Sequence, residues 1–329
     1  MNEVVFNLEQ LQARASLYKK IRNFFDGLGV LEVETPLMTP FTVTDPHVQS
    51  INVQHNNQEW FLQTSPEYMM KQLIAMGCKD IFQICKAFRV DEFAQFHQPE
   101  FSMLEWYRLD FNYQTLMQEV IALMRMIFDP LKVVYYPYAD LFNDVLGVNP
   151  LTATCEELRE IACLHLENHA FMDFSDFTLT DWQQYLFSRL IEPVLSNIPC
   201  AMVYNFPISH SSLAKASQDD PRVSERFEMY LNGIECANGF SELVSEEGCI
   251  GRFKADNRRR ERLGMPIIKM DQPFLKAMQM GLPHCAGVSI GLDRLLMVMT
   301  NASHIDQVIP RKFNFDFVEP QALKQLVGK

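Results

Sequence analysis

The sequence predicts an α+β fold, an antiparallel sheet flanked by helices. Strand-like segments gather toward both ends of the chain, most of them pair across short turns, and the stretch between them is helix-rich. A doubly wound parallel sheet would instead alternate strand and helix throughout, because parallel neighbours need long crossovers.

Taken in order, Leu8, Leu11, Ala15, Tyr18, Ile21, Phe25 and Leu28 recur at helical spacing before Gly29 closes the pattern, so the chain opens on an amphipathic helix. GVLEVETP from Gly29 then reads as a strand stopped at Pro36, which cannot donate to a ladder. INVQHNNQEWFLQT from Ile51 is a hairpin turning at Asn56 and Asn57. In TSPEYMMKQL, Ser65 suits a helix N-cap and Pro66 the first helical position. DIFQICKAFRV from Asp80 and PEFSMLEWYRL from Pro99 alternate apolar and polar residues on either side of a loop at 95–98, giving a long antiparallel hairpin.

Residues from 112 to about 198 form a helical insertion in a single domain, 1–329, with Thr154 and Glu157 as a capping box. Asp173, Asp176 and Asp181 lack the glycine and closing glutamate of a calcium loop, so they read as caps and turns. Strands return at CAMVYNFP and at RFEMYLNGIECANGFSELV, which turns at Asn232 and Gly233. A helix follows to Arg262, closed by Gly264, and its basic DNRRRERLG end reads as solvated. A strand at VSIG and a helix from Leu292 to about Thr300 complete the pattern.

The chain has 329 residues, a net charge of −12 and a pI near 5.2. That balance opposes a broad nucleic-acid surface, which needs clustered Lys and Arg. No run of eighteen apolar residues occurs and MNEVVFNLEQ lacks the order of a signal peptide, so no membrane association and a cytoplasmic location are expected. Eight cysteines without a CxxC pair suit reduced thiols rather than disulfides or zinc.

Two segments carry the chemistry. FRVDEFAQFHQPEFSMLEWY contains Arg89 and GVSIGLDR ends on Arg294; each arginine offers a planar, permanently charged fork for phosphate oxygens. Gly287 and Gly291 let backbone approach a ligand closely. Glu235 and Glu242 flank CANGFS, and a bulge there would let both face one site. Their oxygens suit Mg²⁺.

Together with IECANGFSEL and DQPFLKAMQMGLPHCAGVSIGLDR, these segments resemble the catalytic core of the class II aminoacyl-tRNA synthetases, in its lysyl branch. GVLEVETP resembles that class's dimer-forming first motif, the Arg89 segment its second and the Arg294 segment its third. The TSPEY and LEWY segments and the length resemble the elongation factor P lysine ligase family, built like a lysyl-tRNA synthetase without its anticodon-binding domain. The resemblance implies a homodimer that uses ATP and Mg²⁺ to activate (R)-β-lysine as an adenylate and transfers it to a lysine ε-amino group of elongation factor P. It places Arg89 on the α-phosphate, His97 on the distal phosphates and Arg294 on the γ-phosphate. Phe101 stacks on adenine with Arg294 over the other face, and Asp91, Gln98, Cys236 and Gly291 complete the ATP set. Glu235 and Glu242 serve metal and substrate. A dicationic substrate needs carboxylate partners when its ammonium groups lose water, and Glu67, Glu105 and Glu242 are the candidates, with Ser65, Tyr107, Asn238 and Ser289 beside them.

Three positions depart from the family pattern. Asp91 stands where glutamate is usual, Gln98 where asparagine is usual, and Ser289 where lysyl-tRNA synthetases carry glycine and the lysine ligases commonly alanine. A floor residue larger than glycine argues against plain α-lysine. Aminoacylation of tRNA is disfavoured because the first motif starts about thirty residues in, too few for a module of roughly a hundred. A free-standing activator of the asparagine synthetase kind shares the core, but LEWY and ANGFSEL oppose it. A catalytically silent paralogue would have lost an arginine or a carboxylate, and none is lost. No residue is an evident general base for amide formation.

Overall fold

A computed structural model describes residues 8–90, 94–165, 174 and 176–309. Asp91, Asp173 and the tail after Arg311 lie outside the described residues. Helix α1 (Leu8–Gly27) buries Leu17, Ile21 and Phe25 on one stripe, the face its periodicity requires. Strand β1 is short (Leu31–Glu32) and is followed by a small antiparallel sheet of β2 (Met38–Thr39), β3 (Asn52–His55) and β4 (Gln58–Leu62). Asn56 and Asn57 both take positive φ, 51° and 60°, as the two-residue hairpin turn demands.

Helix α2 (Glu67–Ala75) starts after Pro66, one residue later than expected. Ser65 Oγ still accepts the Glu67 N–H at 3.1 Å. The long hairpin is present as β5 (Ile81–Phe88) and β6 (Glu100–Leu109), followed by α3 (Tyr113–Ile127). The segment expected to be helical also contains a strand, β7 (Val133–Pro137), before α4 (Tyr138–Leu146), α5 (Cys155–His165), α6 (Leu179–Leu186) and α7 (Glu192–Leu195). Thr154 and Glu157 form their capping box, and Asp181 forms another with Thr178. Strands β8 (Cys200–Tyr204), β9 (Arg226–Leu231) and β10 (Ile234–Ser241), helices α8 (Glu246–Arg262) and α9 (Gln272–Gly281), strand β11 (Cys285–Gly291) and helix α10 (Leu292–Thr300) complete the chain.

Eight strands form one sheet in the order β1-β5-β6-β11-β10-β9-β8-β7. Its centre is antiparallel as expected, whereas β1 pairs parallel to β5 at one edge and β7 parallel to β8 at the other. Parallel partners need a crossover, and the insertion helices α4 to α7 supply the one between β7 and β8.

Alternation along the strands divides the sheet's two faces. Phe82, Leu104, Trp106, Ala286, Val288, Ile290, Phe227 and Met229 turn toward α1, α3 and α10 in the main core. Among the described residues, helices cover the opposite face at its two ends. At one end α2, α8 and α9 pack over Ile81, Tyr107 and Cys285; at the other α4 to α7 pack over Ala201, Val203 and Tyr230. The gap between these two helical groups is a cleft.

Glu235 and Glu242 are separated by an odd number of positions, which in a regular strand puts two side chains on opposite faces. The β9–β10 register slips between Glu235 and Ala237, a bulge at Cys236 that restores a common face. Glu235 thus lies opposite Tyr230 and Asn238 opposite Glu228, on the cleft side.

The basic end of α8 is not a freely solvated terminus. Arg259 pairs with Asp181 of the insertion, and Arg260 is buried, donating from Nε to the Pro266 carbonyl at 2.7 Å. The Arg259–Asp181 pair joins α8 to α6, and Gln184 and Arg259 line the cleft.

Candidate active site

The cleft holds two cavities. The larger, of about 380 Å³, runs from Thr44 and His47 down to Glu67, Glu105, Tyr107, Glu242 and Gly287; the smaller, of about 110 Å³, is lined by His97, Gln98, Phe101, Glu235, Gly291 and Arg294. Both share Arg89, Asn238 and Ser289 as walls. The register explains the meeting point: Ser289 on β11 lies opposite Glu105 on β6 and opposite Asn238 on β10.

The floor of the larger cavity is acidic. Ser65 Oγ donates to Glu105 Oε2 at 2.6 Å and Tyr107 Oη donates to Oε1 at 2.7 Å, so both hydroxyls expected to orient substrate also fix this carboxylate. Burial, helped by the nearby Glu67 charge, pushes the Glu105 carboxyl up to about 7 despite those bonds. Glu242 is sealed from solvent beside Lys71, whose Nζ lies 2.5 Å from Oε2 and 2.6 Å from Glu67 Oε1. Burial outweighs the Lys71 charge and raises the Glu242 carboxyl to about 8. Lys71 stays protonated because Glu242 and Glu67 outweigh its own burial. Three carboxylates against one ammonium leave a formal charge of −2 when all are ionised, a floor complementary to a dication.

In the sequence Lys71 shows only an i,i+4 spacing from Glu67, a pattern equally at home on a solvated helix face. Gly287 makes room at this floor. A Cβ there would stand 2.3 Å from a Tyr107 ring carbon and 2.7 Å from Glu242 Oε1.

Arg294 dominates the smaller cavity from the first turn of α10, directly after β11. Its Nε donates to the Phe96 carbonyl at 3.1 Å, Nη1 to the Glu235 carbonyl at 2.8 Å, and Nη2 lies 2.5 Å from His97 Nε2. Because arginine only donates, that His97 nitrogen is the acceptor. Asp293 anchors the turn, accepting Arg14 Nη2 and the Ser102 N–H, each at 2.5 Å. Gln98 donates to Asp306 at 2.7 Å while its carbonyl oxygen is buried without a protein partner among the described residues. The Arg89 guanidinium sits 5.1 Å from the Phe101 ring centre, covering one face of the ring expected to stack on a base. Cys236 reaches this cavity's wall, but its thiol belongs to the main core, where burial pushes it up to about 12.

The expected site residues within the described chain therefore gather in one cleft. Glu235 and Glu242 share a face of the sheet yet not a cavity: Glu235 stands beside Arg294 and Glu242 beside Lys71. Among the described residues no group of three or more His, Cys, Asp or Glu side chains is arranged to hold a metal ion by itself.

The model of the family described as tRNA synthetases class II (D, K and N) matches residues 6–312. Relatives named "Elongation factor P--(R)-beta-lysine ligase" include the protein of Mannheimia succiniciproducens, 41% identical over 308 residues covering 92% of this chain and 94% of the relative. The Vibrio cholerae protein is 42% identical over 309 residues, covering 92% and 94%, and that of Histophilus somni 42% over 318 residues, covering 94% and 96%. The chain belongs to the class II tRNA synthetase family (D, K and N) and, within it, to the family of the elongation factor P (R)-β-lysine ligases.

Proposed function

We propose that this ligase activates (R)-β-lysine with ATP and transfers the β-lysyl group to the ε-amino group of one lysine of elongation factor P; its relatives' name pairs that amino acid with that protein. The observation that carries this is the meeting of an acidic cavity and an arginine-lined cavity at Arg89, Asn238 and Ser289. The carboxylate of a diamino acid held on the acidic floor arrives where the α-phosphorus of ATP would sit. Arg89 meets the charge that develops on the α-phosphate oxygens, Arg294 and His97 hold the distal phosphates, and Phe101 with Gln98 receives the base. Pyrophosphate leaves as the carboxylate bonds to phosphorus.

Glu235 gives Mg²⁺ a hard oxygen donor, and phosphate oxygens would have to supply most of the rest, since this ion is bound through few protein carboxylates. When bound, the ion neutralises charge on the departing pyrophosphate. Glu242, occupied by Lys71, supports the floor and the substrate ammonium.

The chain is read as one catalytic domain carrying the helical insertion, working in the cytoplasm as a homodimer. Exposed Leu28, Leu31, Leu37 and Met38 lie along the outermost strand β1 and its flanks, an apolar edge of the kind an interface covers. Among the described residues no helix is long and apolar enough to cross a membrane.

The deciding experiment incubates the protein with ATP, (R)-β-lysine and either purified elongation factor P or tRNA and weighs the acceptors. A gain of one β-lysyl group on elongation factor P is expected. A gain on tRNA alone overturns the acceptor, and pyrophosphate exchange favouring aspartate overturns the substrate.

A further inference from the structure

Arg226 lines the larger cavity, yet each of its three nitrogens already holds a protein acceptor. Nη1 donates to the His210 carbonyl, Nη2 to the Glu228 carboxylate, and Nε to Asn238 Oδ1 at 3.2 Å. Its guanidinium also lies 4.7 Å from the Phe206 ring centre, and Glu228 is held in turn by the Tyr230 hydroxyl at 2.5 Å. The side chain is 14% exposed. An arginine whose Nε is spent on an amide oxygen while both terminal nitrogens are anchored fixes the orientation of that neighbour.

That neighbour is Asn238. Arg226 lies opposite Phe240 and Asn238 opposite Glu228, so the two are diagonal neighbours on the cleft face, within side-chain reach. Arginine has no acceptor atom, so the amide oxygen of Asn238 must face it and the amino group must point the other way. No protein acceptor among the described residues takes a hydrogen bond from Asn238 Nδ2, and Asn238 is a wall common to both cavities beside Arg89.

We propose that Arg226 is a positioning residue that locks the Asn238 amide with its N–H donors aimed at the junction of the two cavities, where they hold the non-attacking oxygen of the substrate carboxyl group. The inference rests on the two-step reaction proposed for this site. In activation one carboxylate oxygen bonds to the α-phosphorus and pyrophosphate leaves; Asn238 holds the other oxygen. In transfer the acceptor amine bonds to the acyl carbon, the acyl oxygen takes up the negative charge of the tetrahedral intermediate, and AMP departs as the C–O bond breaks and the amine loses a proton. A donor fixed in advance at that oxygen acts as an oxyanion contact, worth roughly 10²–10³ in kcat when removed.

The test is a double-mutant cycle on kcat for ATP–pyrophosphate exchange and for single-turnover transfer. Arg226→Lys keeps a cation for Glu228 but loses the Nε contact. It should lower kcat by roughly 10-fold or more, a fraction of the oxyanion effect, with the KM for ATP within about twofold of wild type as expected for a contact made in the transition state. In an Asn238→Ala background the same substitution should change kcat less than about twofold, because its target is gone. An equal fall in both backgrounds, or none with Asn238 present, overturns the proposal. If Arg226→Lys does not fold, Arg226→Gln, a neutral donor in its place, is carried through the same cycle with the same criteria. The cycle is run with whichever amino acid the wild-type protein activates, so a wrong assignment of substrate shows in the wild type and leaves the coupling measurement intact.

Discussion

Lys71 and Glu242 lie in ion contact at 2.5 Å with both side chains sealed from solvent beneath the larger cavity. A lone carboxylate at that depth would resist ionisation; a lone ammonium would too. Each is kept in place by the other across α2 and the residue that follows β10, and Glu67, one turn earlier on α2, shares the Lys71 ammonium. Above about pH 8, where Glu242 is ionised, replacing Lys71 by Met strands a buried charge, and about 3–5 kcal/mol of stability should be lost by chemical denaturation, the usual cost of breaking such a pair. Lys71→Met combined with Glu242→Gln should recover a large part of that loss, so the two single effects should not add.

The floor acids also set a pH dependence. Glu105 and Glu242 are held at about 7 and about 8, above the ordinary glutamate value near 4.3. The folded chain without substrate therefore binds more protons than the unfolded chain between roughly pH 4.3 and 8, and these groups cost it stability as pH rises through that window. An ammonium ligand needs the ionised acids and reverses the sign. The KM for the diamino acid should fall as pH rises from about 6.5 to 8.5, and the rise in melting temperature on adding it should be larger at the higher pH.

Arg294→Lys keeps the charge but not the fork that reaches the Phe96 and Glu235 carbonyls and His97. Adenylate formation should slow by roughly 10²-fold, the scale of losing one well-placed transition-state contact, while thermal stability changes little. Pyrophosphate exchange beside a melting curve checks both.

Gly287→Ala places a methyl against the Tyr107 ring and the Glu242 carboxylate. The KM for the amino acid should rise by roughly 10-fold or more while that for ATP stays near wild type, with about 1–3 kcal/mol of overpacking cost in denaturant. Initial-rate kinetics with each substrate varied in turn reads the split.

Much of this was legible in the chain. The hairpins announce themselves where asparagine and glycine must take positive φ, at Asn56, Asn57, Asn232 and Gly233. The two arginines and the carboxylates were legible as chemistry because motif glycines and aromatics surround them. Strand β7 and the parallel edges were not, since pairing across the insertion is a long-range choice that local alternation does not encode. Nor was Lys71, whose residue type signals a solvated surface until two acids from distant elements enclose it. Arg260 escaped for the same reason, reading as part of a basic helix end although it is buried. Arg226 and Glu228 stand two apart on one strand face, a pattern that says only strand until the cleft is known.

The irregular step at Cys236 makes pairing register, more than composition, the constraint on this stretch. Deleting Cys236 would leave Glu235 and Asn238 two positions apart and still on the cleft face, whereas pulling Cys236 into regular pairing would turn Glu235 into the apolar layer under α3 and α10 while leaving Asn238 and Glu242 in place. The extra residue is compatible with the site only as a bulge; ironed into the ladder, it would separate the phosphate end of the cleft from the amino-acid end.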